Sequence, residues 1–329
     1  QNYFIFSSEI NPILSFKKIS VSMNLKALDM YLTLQYIPAP YTIYNEIKKL
    51  EPATLLEFKN WEVHKERYWE IPKQIEMISY NDAKEKLREL VKDSVKLRLI
   101  SDVEIGAFLS GGIDSSIVVA TISENSDKNI KTFSIGFKEE KFNELDYARK
   151  VAKMYSTQHH EFIVEEELTD IIDELIIHYG EPFADPSAIP SYYVSKIASR
   201  YVKVVLNGDG GDENFAGYKR YIALKIIEWI RKTAPCFLIK PIYNALKILP
   251  EGNAPFDKIW LVRKFLKSLV QKDLLEMYIS TVSFFDINEK EEIKSKKFKS
   301  LVEPDLPYHY LKDFFDIEGD IIKKMTYTD

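Results

Sequence analysis

The chain has 329 residues, 46% of them apolar and 29% charged, with a formal net charge of −5. That balance belongs to a folded globular protein of about two domains, not a disordered chain, and the charge gives no reason to expect a nucleic-acid partner. One cysteine, Cys236, excludes an internal disulfide and agrees with a reducing cytoplasm, and no apolar run of about eighteen residues is present to span a membrane.

In chain order, Tyr3 to Ser7 reads as a strand. Asn24 reads as the cap of a helix through Leu25, Leu28, Tyr31 and Leu32, which recur at helical spacing. Thr54 to Phe58 and Trp61 to Tyr68 read as a β-hairpin turning at Lys59-Asn60. Residues 71–79, with Pro72, form a linker, and Asn81 is expected to cap a helix through Ala83, Leu87, Leu90, Val91 and Val95. From Val103 the pattern alternates over 103–109, 114–124, 131–137, 144–155, 159–164, 166–179, 187–200 and 202–206. Strands separated by helices of this length predict an α/β fold, a mostly parallel sheet with helices on both faces. Such a sheet explains why Val204, Val205 and Leu206 are continuously apolar. His159 and His160 are adjacent on a strand, so they point to opposite faces and make a poor metal pair. Beyond Tyr221, residues 222–230, 256–269 and 274–282 carry helical spacing. Trp229, Trp260, Phe284 and Phe285 read there as core, and Cys236 as a small buried hydrophobe.

Two loops carry the chemistry. Val103 to Leu109 leads into Ser110-Gly111-Gly112 and then a helix beginning near Asp114, a turn that gathers backbone N–H groups and the positive end of a helix at one point, where an anion fits. Gly111 and Gly112 let the backbone approach a ligand closely, and Ser110, Ser115 and Ser116 add hydroxyls. No Gly-Lys-Ser/Thr is present, so this is not the Walker phosphate loop. Asp114 would repel phosphates unless a divalent cation, usually Mg2+, sat between them. Such a site calls for further carboxylates at a neighbouring strand end. Asn207-Gly208-Asp209-Gly210-Gly211-Asp212-Glu213 supplies them after Val202–Leu206.

At these residues the chain resembles a known family. Ser110-Gly111-Gly112-Ile113-Asp114-Ser115 is similar to the pyrophosphate-binding loop of the ATP pyrophosphatases (the PP-loop superfamily). With Thr132–Phe137, Glu181–Asp185 and Gly208–Glu213, the chain from about Tyr3 to Tyr221 resembles glutamine-hydrolysing asparagine synthetase. The resemblance implies that residues 1–72 are the β-rich end of an N-terminal-nucleophile glutaminase domain. It implies that 78–329 form the synthetase domain with a helical C-terminal extension. Gln1 is not the family's nucleophilic cysteine, and the family's basic segment is not found before Asp329, so the chain is expected to be cut short at both ends.

The implied reaction consumes ATP. The side-chain carboxylate of aspartate is adenylated with release of pyrophosphate, and ammonia, derived from glutamine, then displaces AMP. By resemblance Asp114 and Asp212 are Mg2+ ligands, and Asp212 and Asp209 are catalytic, with Asp209 as general base. Phe108, Leu109 and Ile135 line the adenine. Ser110, Gly111, Gly112, Ser115 and Ser116 hold the pyrophosphate, and Asn207 and Gly208 lie beside the ribose and phosphate. Asn207 stands where the family usually has Ser, and Ala216 where it has Gly. Glu181–Ser187 is expected to border the acceptor, or simply to be a proline-stiffened connector. The resemblance leaves open a homodimer, another acceptor such as a uronic acid of a surface polysaccharide, closure of a β-lactam ring, and an inert ATP-binding scaffold.

Overall fold

The computed structural model describes residues 3–126, 129–137, 144–164, 171–233, 236–247, 258–285, 287–303 and 305–329. Of 236–238, 246–247, 258–261 and 287–288 it describes the backbone alone, so the expectations for the Cys236 and Trp260 side chains lie outside the described residues. Two compact units emerge: residues 1–73, 176–185 and 213–329 form one, and 74–175 with 186–212 form the other.

The first unit begins with α1 (Ile10–Leu14) and α2 (Leu25–Leu34). The Asn24 side chain accepts from Ala27 N–H as the expected cap of α2. Hairpin β1 (Thr54–Lys59) and β2 (Glu62–Arg67) follows, pairing Lys59 with Glu62. Its turn is Asn60-Trp61, one residue later than expected, with φ of 52° and 66°. Two successive left-handed residues match the twist of the flanking strands. The predicted strand over Tyr3–Ser7 is absent. Those residues pair with no strand in the described part, and a strand persists only when its backbone groups find a ladder.

In the second unit, α3 (Tyr80–Arg98) is capped by Ser79, whose side chain accepts from Asp82 N–H, and not by Asn81, which lies inside the helix. The sheet strands are β3 (Ile105–Phe108), β4 (Lys131–Phe137), β5 (Gln158–Val164) and β6 (Val204–Leu206), with α4 (Ile113–Asn125), α5 (Leu145–Met154), α6 (Ile172–Tyr179, whose residues from 176 on belong to the first unit) and α7 (Ala188–Ala198) between them. The predicted helix start at 166 falls on residues 165–170, outside the described ones. All three pairings are parallel, in the order β5-β4-β3-β6. Alternation along β3 decides which helices cover which face. Ala107 and Leu109 pack with Val119 and Ile122 of α4 and Ala148 and Ala152 of α5. Phe108 turns the other way, with Phe133, Ala198 of α7 and Val202. Helices therefore cover both faces, as the alternating pattern predicts.

The rest of the first unit is helical: α8 (Gly211–Phe215, which starts in the other unit), α9 (Lys219–Thr233), α10 (Cys236–Lys247), α11 (Lys258–Leu269), α12 (Leu274–Val282), α13 (Ile287–Ile293), α14 (Lys296–Leu301), α15 (Leu306–Phe315) and α16 (Ile321–Thr328). Tyr221, Leu224, Ile227, Met277, Leu311 and Met325 form its core. Two of the aromatics expected there are outside it: Trp229 is 65% and Phe284 68% exposed. Tyr221, Leu224 and Ile227 form the inward stripe of α9, and Trp229, two residues past Ile227, falls on the opposite side. No helix among the described residues is long and apolar enough to cross a membrane.

Candidate active site

The chain crosses from β3 outward to β4 and β5, then returns to the other side of β3 to form β6. Where the strand order reverses, the connections from neighbouring strands diverge to opposite faces and leave a crevice beyond the carboxyl ends, the usual ligand position of an open α/β sheet. Here the crevice lies between β3 and β6. The loop after β3 and the loop after β6 are the two singled out from the sequence, so the topology brings them together.

In the first loop Gly111 has φ +85°, and a Cβ on it would lie 2.5 Å from Tyr147 Cβ and 2.6 Å from Ala148 N. Only glycine fits there, pressed against the start of α5. Gly112 is the N-cap of α4 and offers no capping side chain. The first N–H groups of α4 therefore lack intrahelical acceptors and, with the helix dipole, favour an anion. Three serines order the turn. Ser116 Oγ donates to Gly112 O at 2.6 Å, Gly112 N–H donates to Ser110 Oγ at 3.2 Å, and the Ser110 and Ser115 hydroxyls share a bond of 3.0 Å.

The second loop closes on the first. A Cβ on Gly208 would lie 2.7 Å from Ser115 N and 2.8 Å from Asp114 Cβ. One on Gly211 would lie 2.7 Å from Asp114 Oδ2 and 2.8 Å from Oδ1. The Asp114 carboxylate is thus packed directly against the glycine that opens α8, next in sequence to Asp212. Asn207 Nδ2 donates to Asp209 Oδ2 at 2.6 Å, and Asp209 N–H returns to Asn207 Oδ1 at 3.4 Å. The Asn207 side chain therefore holds the carboxylate of Asp209.

The donor set fits Mg2+ in one particular way. Among the described residues no three His, Cys, Asp or Glu side chains cluster as a metal cage. Mg2+ is commonly held by one or two carboxylates with substrate phosphates completing the shell. Asp114 and Asp212, beside a cradle that only glycine can line, suit that arrangement.

The three apolar residues go to three places. Leu109 is 1% exposed in the core under α4 and α5, and its carbonyl accepts from Ser134 Oγ. Phe108 packs against Phe133 on the other face, and Ile135 against Ile171, Leu175 and Tyr193. His159 and His160 do diverge: His159 Nδ1 bonds Thr132 Oγ1 at 2.8 Å, while His160 stacks 5.3 Å from Phe133. Glu181 lies in the first unit, where it accepts from Ile43 N–H at 3.2 Å and pairs with Lys49. Sequence reasoning missed the backing of Gly111 by Tyr147 and Ala148 and the bond from Asn207 to Asp209. The first joins residues far apart in sequence and left no local signal. The second was partly readable, because an Asn side chain commonly bonds the backbone two residues on, as Asn207 does with Asp209 N–H.

Residues 86–291 match the family model described as Asparagine synthase, and residues 1–69 match that of a glutamine amidotransferase domain. A putative asparagine synthetase [glutamine-hydrolyzing] 2 of Methanocaldococcus jannaschii is 39% identical over 85% of this chain and 55% of its own length. Asparagine synthetase [glutamine-hydrolyzing] 1 of Bacillus subtilis is 29% identical over 92% of this chain and 49% of its own. The chain thus spans about half the length of these curated relatives. Among solved structures, an NH3-dependent NAD synthetase from Campylobacter jejuni aligns with 43% of this chain and 61% of its own at 17% identity, with a TM-score of 0.28, too low to carry an argument. The Asparagine synthase match covers more than half of the chain, the glycine and aspartate loops included, and the chain belongs to the asparagine synthase family.

Proposed function

We propose that this chain carries the ATP-dependent half of a glutamine-hydrolysing asparagine synthetase, with residues 1–72 the end of the glutaminase domain and 78–329 synthetase domain. The observation that carries the reading is the glycine-only packing of Gly208 and Gly211 on Asp114. It joins an anion cradle to carboxylates at one sheet end, a combination that polyphosphate activation needs and simple anion binding does not. The names of the relatives favour aspartate as acceptor and glutamine or ammonia as nitrogen source.

In this reading the N–H groups at the start of α4, with Ser110 and Ser116, receive the pyrophosphate of ATP. The adenine is assigned to the strand ends at Phe108, Leu109 and Ile135, and the ribose to the side of Asn207 and Gly208. Asp114 and Asp212 hold Mg2+, which when bound neutralises phosphate charge. The aspartate carboxylate attacks the α-phosphorus and the bond to pyrophosphate breaks, giving β-aspartyl-AMP. Ammonia then attacks the acyl carbon, AMP leaves with the bonding electrons, and Asp209, held by Asn207, accepts a proton from the attacking nitrogen.

The test is aspartate-dependent exchange of labelled pyrophosphate into ATP by the full-length protein. Asp114→Asn and Asp212→Asn should each lower exchange by about a hundredfold or more, as loss of a preorganised charge-stabilising group does. Undiminished exchange in both variants would overturn the site. Exchange that requires a uronic acid in place of aspartate would overturn the acceptor alone.

A further inference from the structure

The first unit holds a cavity of about 420 Å³ lined from α2, α10, α11, α12, α13 and α15, away from every residue assigned above. Its size is that of a small-metabolite pocket. Val270, Ile279, Phe285 and Pro307 give it an apolar wall, and Lys267, Lys272 and Lys290 are also among its lining residues.

Lys290 sets its chemistry. The residue is 5% exposed, and burying an ammonium is costly unless its charge and its hydrogens are met. It donates to Asp29 Oδ2 at 3.1 Å and Thr33 Oγ1 at 3.0 Å. A lysine ammonium has three hydrogens, and the third has no acceptor among the described residues. The buried part of the countercharge is shared rather than matched one to one. Asp29, 0% exposed, also pairs with Lys294 at 2.5 Å, so one buried carboxylate serves two ammonium groups. Glu291 pairs with Lys294 from a position 45% exposed. Of the carboxylates on the cavity wall, Asp305 is near enough to offset part of the Lys290 charge, and Glu276 accepts from Lys272 N–H at 2.8 Å. Burial also pushes the Lys290 ammonium toward losing its proton, which an anion alongside would reverse.

We infer that this cavity binds a small organic anion, its carboxylate or phosphate group on Lys290 and its apolar body against Val270, Ile279, Phe285 and Pro307. A neutral ligand could accept the spare hydrogen but would add no charge beside a buried ammonium, and inorganic phosphate would leave the apolar wall uncovered.

The test is calorimetry on the full-length protein with benzoate, phenyl phosphate and benzyl alcohol. The expected result is one-to-one binding of benzoate or phenyl phosphate, and which of the two binds more tightly tells carboxylate from phosphate. Benzyl alcohol should bind at least about tenfold more weakly. Lys290→Gln, which keeps a donor for Asp29 but removes the charge, should cost at least about tenfold in anion affinity. Ser283→Trp, which fills the cavity from a half-buried wall position, should abolish binding and decides the matter if Lys290→Gln fails to fold. The inference is overturned if neither anion binds, if benzyl alcohol binds as well as benzoate, or if both variants bind like the wild type.

Discussion

At the residue scale the site depends on what glycine lacks. Gly208 lies against the backbone of Asp114 and Ser115, atoms that cannot move without shifting the start of α4. Gly211 lies against the Asp114 side chain, which can rotate away, but only by surrendering its position. The two alanine substitutions should therefore differ. Gly208→Ala has to displace the helix start, and should lower both melting temperature and nucleotide affinity. Gly211→Ala should leave melting nearly unchanged, because the rotation is local, and lower Mg2+-dependent nucleotide affinity by about tenfold, equivalent to about 1.4 kcal/mol. Melting curves with and without ATP and Mg2+ separate the two; equal behaviour would show that Asp114 is not held by this contact. The sequence showed that these glycines matter, since three of them stand among carboxylates after an apolar strand. It could not show that they face Asp114, about ninety residues earlier, because only the return of β6 beside β3 brings them there.

At the element scale, legibility followed how far each element is determined locally. Strand β4 and helix α12 have their predicted bounds, because an apolar run or a helical stripe in each is closed by a clear change of pattern. The cap of α3 was misplaced although Ser79 and Asp82 have the spacing of a capping box. Asn81 is a good capping residue, and choosing between two such residues needs the register of the first turn. Strand β5 offers a test of its own. His159 is half-buried, with Nδ1 bonded to Thr132, while Arg149 of α5 takes both carboxylate oxygens of its neighbour Glu161 at 2.9 Å. Burial pushes the His159 imidazolium down, more than Glu161 pulls it back. A histidine that resists protonation when folded gives stability that is present above its unfolded pKa of about 6.5 and is lost as pH falls below it, since the unfolded chain binds the proton first. Stability should thus decline from about pH 7 to pH 5, by at most about 1.4 kcal/mol per pH unit from this residue. His159→Gln, which keeps a hydrogen-bonding group for Thr132, should flatten that part of the profile. Denaturant midpoints at pH 5, 6 and 7 would check it, and an unchanged slope would show that folding does not lower the proton affinity of His159.

At the scale of the whole molecule, every residue proposed to touch ATP or Mg2+, from Phe108 to Ser116, with Ile135 and from Asn207 to Asp212, belongs to the unit of residues 74–175 and 186–212. The cavity at Lys290 belongs wholly to the other unit. The sequence foretold the parallel sheet but not this partition, in which the chain passes from one unit to the other four times. Periodicity reports which face of an element is buried, not which distant segment buries it. A ligand that binds only the folded form suppresses the opening of what it touches, by about 2.7 kcal/mol at a hundred times its dissociation constant. Slowly exchanging amides report such openings unit by unit. ATP with Mg2+ should therefore slow hydrogen exchange in peptides covering 105–116 and 204–212, and phenyl phosphate in those covering 267–285 and 289–294. With both ligands present the two patterns should add, each as large as it is alone. Protection by ATP confined to the second set would place the nucleotide in the helical unit and remove the sheet-end site. Protection by phenyl phosphate confined to the first set would show that the aryl phosphate occupies the pyrophosphate cradle, leaving the Lys290 cavity without a ligand.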